Sequence, residues 1–212
     1  MRNGIWIRCG LAVLICVGVR AAYAGSDDPA PSGLAIAAVG EMPEAHLERV
    51  RAFVERNTSM ETRVLEPSDV SAGSLPDLMD ALASRRTPEH AALVFLYAGD
   101  EDYEEHYVYR YEDGIGIVNA ALMRLDDEER YLRRLDKLTM RTIGLLFAVE
   151  KVPNPQSAMW TYNTMAELDA MGRNFDPPSL LRLQQRARER DIPLIEESPY
   201  MMLDRRELRR QH

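Results

Sequence analysis

Cysteine is scarce in this sequence and confined to its start. The two cysteines, Cys9 and Cys16, both lie within the first 16 of 212 residues. A chain that loses this segment has no disulfide and no thiolate to act as a metal ligand or nucleophile. Cysteine chemistry is therefore excluded from the rest of the protein.

Histidine is also scarce, and no two of the four histidines lie three or four positions apart. They are His46, His90, His106 and His212. A single helical turn therefore cannot present a histidine pair to a metal ion. The sequence also has no phosphate-binding loop, no GxSxG and no GxGxxG; Gly114-Ile115-Gly116 is half of the last motif and lies in a predicted hairpin.

The first 24 residues have the three parts of a cleavable signal peptide. Arg2 and Arg8 supply positive charge, Gly10–Val19 is an apolar run, and Ala22–Ala24 is a small-x-small cleavage site. The apolar run is shorter than the roughly 20 residues that span a bilayer. We predict a secreted or periplasmic protein, cleaved near Ala24-Gly25; an uncleaved anchor is the alternative.

Positive charge is in deficit once this signal is removed. The whole chain has 26 Lys+Arg and 34 Asp+Glu, and the signal carries three arginines and no acid, which leaves a formal charge of −11. We therefore expect neither nucleic acid nor a membrane as a partner after cleavage. We expect a single domain over 34–200, between a flexible leader at 25–33 and a charged tail at 201–212.

Predicted strands and helices alternate along the first hundred residues, which favours an α/β sheet with parallel neighbours. In chain order they are a strand at Leu34–Val39, a helix at Pro43–Asn57, a strand at Thr62–Leu65 closed by Pro67, a helix at Ser74–Arg85 capped by Ser74, and a strand at Ala92–Tyr97.

The second half of the chain predicts a hairpin followed by helices. The hairpin pairs His106–Tyr111 with Ile115–Asn119 around Asp113-Gly114. The predicted helices are a long one at Asp127–Val149, capped by the preceding acids, then Thr164–Met171 and Pro178–Arg190. We expect a twisted mixed sheet, two or three helices behind it, and a small helical C-terminal part.

An acidic segment, Gly99–His106, follows the strongest predicted strand, where α/β proteins often place functional loops. Asp100, Asp102 and His106 are its candidate residues for binding a cation or ligand. The spacing is not that of an EF-hand, and no glycine turn lies inside the segment. A solvated acidic loop is the alternative interpretation.

The long predicted helix and the loop after it resemble the active-site region of the archaemetzincins, a family of metzincin zinc metalloproteases. When Gly144 is set on the glycine of the family's H-E-L-G-H motif, Phe147 falls on its usual phenylalanine and Met159 on its Met-turn methionine. Tyr162–Asp169 (YNTMAELD) then resembles the family's S-N-S-L-x-E-x-D stretch.

The resemblance extends upstream and covers about Leu34–Arg190. Ile115–Leu125 resembles the family's edge-strand segment, Asp100-x-Asp102-Tyr103 its D-x-D turn, and Leu34–Gly40 its opening strand. It implies a metzincin-like α/β fold with a long active-site helix, and a zinc-dependent peptidase activity.

The sequence departs from the family at every catalytic position. The three zinc-binding histidines fall on Arg141, Leu145 and Lys151, and the general-base glutamate falls on Thr142. The four structural cysteines fall on Val152, Ser157, Asp176 and Ser179, within one position for the last pair. Arginine stays protonated, leucine has no lone pair and lysine repels a cation. We therefore predict that zinc is lost and that no cofactor replaces it.

Two interpretations of the new cations remain open. Arg141 and Lys151 are either ordinary charges of a helix and its exit loop, or they replace the positive charge of zinc. In the second case they hold an internal carboxylate, with Glu150 and Glu167 as candidates, or they bind an acidic ligand.

Three classes of function follow from these patterns. The first is an exported, non-catalytic relative of the archaemetzincins whose old substrate cleft binds a peptide or protein. The second is an active metallopeptidase or other hydrolase with an unrecognised site. The third is a structural or scaffolding protein of the cell envelope.

Overall fold

The computed structural model describes residues 33–195 of the chain. The predicted signal peptide with both cysteines and residues 25–32 of the predicted leader lie outside the described residues. Gly33, the last residue of that leader, instead begins the first strand. So do residues 196–212, which include the charged tail and His212.

A five-stranded mixed sheet forms the centre of the molecule. Its strands are β1 (Gly33–Val39), β2 (Thr62–Ser68), β3 (His90–Tyr97), β4 (Tyr107–Arg110) and β5 (Ile115–Asn119). Their order across the sheet is β2-β1-β3-β5-β4. The first four in this order run parallel, and β4 pairs antiparallel with β5, which confirms both the mixed sheet and the hairpin.

Two sequence predictions about the sheet edges are wrong. Thr62–Leu65 does not stop at Pro67: β2 runs through it to Ser68, because β2 is an outer strand and proline's missing N–H costs no ladder bond there. Ile115–Leu125 is not the edge segment, since β5 lies between β3 and β4. The outer strand on that side is β4.

Five helices flank the sheet between residues 33 and 195, and the predicted caps are present. They are α1 (Glu44–Thr58), α2 (Leu75–Leu82), α3 (Glu128–Leu146), α4 (Met165–Ala170) and α5 (Pro177–Glu189). Ser74 caps α2 by accepting from Asp77 N–H, and Asp127 caps α3 by accepting from Arg130 N–H. None of the helices in this range is both long enough and apolar enough to cross a membrane.

The sheet separates two apolar cores. Alternate residues of β1 point to opposite faces, so Ile36 joins α1 and α3 on one side while Ala37 joins α2 on the other. The larger core also takes in α4 and α5. This packing fixes α3 against the sheet, and the candidate site lies along the second half of α3.

Helix α3 ends at Leu146, three residues before the predicted end at Val149. Ala148 adopts a left-handed conformation with φ of 54°. Val149 N–H donates to Gly144 C=O and Ala148 N–H donates to Leu145 C=O, at 2.8 and 3.1 Å. These two bonds around a left-handed residue form a Schellman motif, which ends the helix.

Candidate functional site

Arg141 is the central residue of the candidate site. It projects from α3 and is only 2% exposed. Its Nε donates to the Tyr107 hydroxyl at 2.9 Å, and its Nη1 donates to the carbonyls of Ala158 and Trp160 at 3.3 and 2.6 Å. The guanidinium therefore joins three segments: α3, the outer strand β4 and the loop before α4.

Aromatic rings surround this guanidinium. Its central carbon lies 5.7 Å from the ring centre of Tyr107 and 5.4 Å from that of Tyr162, within cation–π range. The His106 ring stacks on Tyr162 at 5.6 Å, and His106 Nδ1 lies 2.9 Å from the Tyr162 hydroxyl.

Burial keeps both members of this stacked pair neutral near pH 7. Desolvation raises the pKa of the Tyr162 phenol well above its ordinary value and lowers the pKa of the His106 imidazole. With both groups neutral, the imidazole tautomer sets which of the two atoms donates to the other. The positive charge of the cluster therefore rests on Arg141.

Neither proposed internal carboxylate meets Arg141, so that hypothesis is wrong. Glu150 pairs with Arg182 at 2.9 Å. Glu167 turns back to accept from Asn163 and Thr164 N–H in the capping box that starts α4. Within residues 33–195, Arg141 makes no ion pair.

The other three residues that align with the family's catalytic positions, Thr142, Leu145 and Lys151, lie in three different environments. Thr142 is buried, its hydroxyl has no hydrogen-bond partner, and its methyl group lies directly against the backbone of Gly116. Leu145 is 8% exposed and belongs to the larger core. Lys151 is exposed and makes no ion pair with the described part of the chain.

Met159 packs beneath α3, against Gly144. It is fully buried, and a Cβ added to Gly144 would lie 2.5 Å from its sulfur. The glycine is thus required by the close approach of Met159. The structure thus brings together Gly144, on which the register was set, and the methionine that falls on the Met-turn position in this register.

Two of the positions assigned to structural cysteines also meet in space. The Ser157 hydroxyl donates to Asp176 Oδ1 at 2.7 Å, and it accepts from Met159 N–H at 3.2 Å. Ser179 is buried nearby in sequence, and Val152 pairs with Trp160 through an isolated bridge. A serine–aspartate hydrogen bond joins the loop to the start of α5.

The candidate residues of the acidic segment Gly99–His106 lie in two separate parts of the structure. Asp100 and Asp102 are exposed and line a shallow depression of about 350 Å³. His106 is not among its lining residues, because its ring stacks on Tyr162 instead. The structure therefore places His106 in the Arg141 cluster and leaves the two aspartates outside it.

The residues at the resemblance's ligand positions do not fit a zinc ion. Zinc needs imidazole, thiolate or carboxylate donors about 2 Å away. These positions instead carry the guanidinium of Arg141, which is already hydrogen-bonded, the aliphatic side chain of Leu145 and the exposed ammonium of Lys151. Across residues 33–195, no three His, Cys, Asp or Glu side chains converge to hold a metal.

The fold is that of the archaemetzincins. The chain matches the crystal structure of archaemetzincin from Methanopyrus kandleri with a TM-score of 0.64 at 19% identity, covering 76% of this chain and 98% of that one. A zinc-dependent peptidase from Methanocorpusculum labreanum gives 0.62 at 14% identity, covering 71% and 100%.

A third structure, archaemetzincin from Archaeoglobus fulgidus complexed with malonate, gives a TM-score of 0.56 at 16% identity, covering 70% of this chain and 98% of that one. No protein-family model matches this sequence, and no curated protein matches it. The likeness to these three structures is one of fold.

Sequence reasoning missed Tyr107 and the role of Tyr162. Tyr107 and Arg141 are 34 positions apart, and His106 and Tyr162 are 56 apart. No helical or strand periodicity links residues so distant. The one available signal was the hairpin itself, which had to place one of its strands near the long helix.

Proposed function

We propose that this protein is an exported, non-catalytic relative of the archaemetzincins, a pseudo-metalloprotease whose former substrate cleft binds a peptide or protein. The observation that carries this proposal is the buried Arg141 guanidinium, bonded to two loop carbonyls and a tyrosine at a position where the family has a zinc ligand. A guanidinium there supplies positive charge and holds the cleft together without a metal.

The remaining polar groups of the site do not assemble a hydrolytic centre. Water activation needs a metal or a base with a free lone pair. Thr142 has only an enclosed hydroxyl, and His106 Nδ1 is engaged in a hydrogen bond with the Tyr162 hydroxyl. This arrangement favours binding over hydrolysis.

The outer strand beside the site favours a peptide as the partner. Asn119 N–H donates to His106 C=O, so in the antiparallel register residues 106, 108 and 110 bond to β5. The backbone groups of Tyr107 and Tyr109 then point away from the sheet. An extended chain added to this edge would pass Tyr107, which bonds to Arg141.

Zinc content and peptidase activity test the loss of catalysis. The chain from Gly25 to His212 is purified, incubated with zinc, dialysed and measured by elemental analysis and with a library of quenched fluorescent peptides. The zinc-dependent peptidase from Methanocorpusculum labreanum is treated in parallel as the positive control. We expect substoichiometric zinc and no cleavage above buffer; one tightly held zinc per chain with cleavage would refute the proposal.

Partner capture tests binding and separates it from an envelope scaffold. The same chain serves as bait in extract from the exporting compartment, beside a Tyr109→Pro variant that removes an outward-facing N–H from β4. We expect the variant to lose the partner while keeping the wild-type circular dichroism spectrum. Equal capture by both baits would contradict binding at this edge and favour the scaffold.

A further inference from the structure

A depression of about 360 Å³ beside the β4–β5 turn is lined by two arginines from distant parts of the chain. Arg86 follows the short 3-10 turn Ala83–Arg85, and Arg190 lies at the end of α5. Both arginines are partly exposed, and Tyr111, which is 43% exposed, lines the same depression. A solute that enters the depression therefore meets both arginines. None of the described residues that line it belongs to the Arg141 cluster.

The end of α3 holds Arg190 in place. Its guanidinium carbon lies 4.7 Å from the ring centre of Phe147 and 5.4 Å from that of Tyr111. Its Nη2 donates at 3.2 Å to the carbonyl of Leu146, which is one of the last carbonyls of the helix and has no partner within it. The helix dipole also favours a cation at this end. The guanidinium is therefore fixed before any ligand arrives.

Gly114 allows Arg86 to lie directly against the hairpin turn. This glycine is left-handed, with φ of 62°, and a Cβ on it would lie 3.0 Å from both Arg86 Nε and the carbonyl oxygen of Ala91. Another residue in this place would press on the arginine. Arg86 makes no hydrogen bond or ion pair within residues 33–195, and its Nε is enclosed without a partner. The described chain thus positions this guanidinium without satisfying it.

Positive charge exceeds negative charge in the depression. Neither of its two arginines forms an ion pair within the described part of the chain. Asp113, in the hairpin turn, pairs with Arg110, and Glu189, at the end of α5, pairs with Arg186, both at 2.8 Å. Glu112 lines the depression but pairs with no cation among residues 33–195. Two positive charges therefore face one negative charge, and an anion is the favoured ligand.

We propose that Arg86 and Arg190 form a binding site for a phosphate group. A phosphate monoester carries nearly two negative charges at neutral pH and three acceptor oxygens, whereas a carboxylate carries one charge. Guanidinium groups bind phosphate oxygens through paired hydrogen bonds. The exposed part of the Tyr111 ring offers a surface to the organic part of such an ester. This site goes beyond the proposed function and does not depend on it.

Nuclear magnetic resonance locates the binding and measures its strength. The isotope-labelled chain from Gly25 to His212 is titrated with inorganic phosphate, phenyl phosphate and benzoate, at constant ionic strength and about pH 7.5, where the phosphoryl probes are largely dianions. Benzoate has the ring of phenyl phosphate but only a single negative charge. We expect at least one phosphoryl probe to shift the Gly114 amide saturably, with affinity about tenfold or more above that of benzoate.

The two phosphoryl probes distinguish the possible sources of the group. Tighter binding of phenyl phosphate identifies a phosphate monoester whose organic part rests on Tyr111. Equal or tighter binding of inorganic phosphate identifies the free anion.

Two neighbouring arginines give a matched pair of variants. Arg86→Gln removes a charge from the depression and should weaken the better phosphoryl probe about tenfold or more. Arg85→Gln removes the same charge one position earlier, but Arg85 donates to the carbonyls of Glu66 and Pro67 and is not among the residues that line the depression. It should bind the probe as wild type does.

Glu112→Gln should change the affinity in the opposite direction. It removes the acid that lines the depression, so the better phosphoryl probe should bind about two- to fivefold more tightly. Because Glu112 is exposed, this variant decides the question even if Arg86→Gln fails to fold.

Three results would overturn the proposal: no saturable shift at Gly114 with either phosphoryl probe, equal affinity for benzoate and the phosphoryl probes, or equal loss of binding in Arg86→Gln and Arg85→Gln. Each of them leaves the zinc and peptide measurements untouched, so the proposed function stands or falls separately.

Discussion

Arg141 alone holds several segments of the chain together, as the ligands of a metal site do jointly. Its planar guanidinium has donors on three nitrogens, and two of them reach β4 and the loop that carries Met159. Removing the side chain leaves the carbonyls of Ala158 and Trp160 without a donor.

We expect Arg141→Ala to lower the free energy of unfolding by about 3 kcal/mol, because buried hydrogen bonds from a charged group are lost and a cavity remains. Urea denaturation of the two proteins measures this. Lys151→Ala, at an exposed site, should stay within about 0.5 kcal/mol of wild type. An Arg141→Ala variant as stable as wild type would show that the guanidinium is not a structural tie.

A second buried charge makes stability depend on pH. Asp136 in α3 is fully buried and lies 3.2 Å from Arg49 and 3.4 Å from Arg173. Burial raises the pKa of its carboxyl to about 6, against the smaller opposing effect of the two arginines. Its contribution to stability is therefore complete below the unfolded value of 3.8 and is lost as the pH rises through about 6.

Asp136→Asn should consequently gain stability relative to wild type between about pH 4 and pH 7, on the order of 2 kcal/mol. Asp169→Asn is the control of opposite sign. Hydrogen bonds from Arg134 and Arg130 hold the pKa of Asp169 well below its usual range, so its stabilisation exists above about pH 4. Denaturation curves at several pH values should show the two variants diverging; a parallel response would contradict this account.

At the scale of elements, the sequence predicted those helices and strands that local hydrophobic pattern and capping residues determine. Ser74 and Asp127 cap α2 and α3 as the sequence predicted. The end of α3 was placed too late because its stop signal is Ala148, where a helix usually ends in glycine. The extent of β2 was misjudged because Pro67 is harmless in a strand whose other edge is free.

The alanine at this helix end predicts a stabilising substitution. Ala148→Gly should raise the free energy of unfolding by about 1 kcal/mol, because glycine adopts a φ of 54° without the clash of a Cβ. Ala166→Gly, on the exposed side of α4, should instead destabilise by a similar amount. Thermal melts of both variants provide the comparison, and a loss of stability in Ala148→Gly would contradict the assignment of the motif.

At the scale of the whole molecule, the order of elements made the fold class predictable, and the resemblance supplied the register. Gly144 on Met159 and Ser157 on Asp176 are contacts that this register implies. The aromatic cluster around Arg141 was not predictable, because the tertiary packing of α3 against the hairpin creates it. The same holds for the close contact of Thr142 with Gly116.

The two edges of the sheet differ in a way that bears on self-association. Opposite Ala38, β2 carries both Glu66 and Pro67, because its register with β1 shifts there. Such a bulge, with a residue that has no N–H, makes this edge a poor template for another strand. The outer strand β4, at the other edge, has neither a bulge nor a proline.

A molecule with one usable edge can pair with a second copy through β4, but the pair then presents only two blunted edges. Open-ended growth needs two edges on every molecule, so association should stop at the dimer. Pro67→Val should weaken this limit, and light scattering of concentrated samples should show larger species for the variant than for wild type. Identical size distributions for the two proteins would show that Pro67 does not set the limit on association. We therefore expect the proline at the margin of the sheet to limit assembly to two molecules.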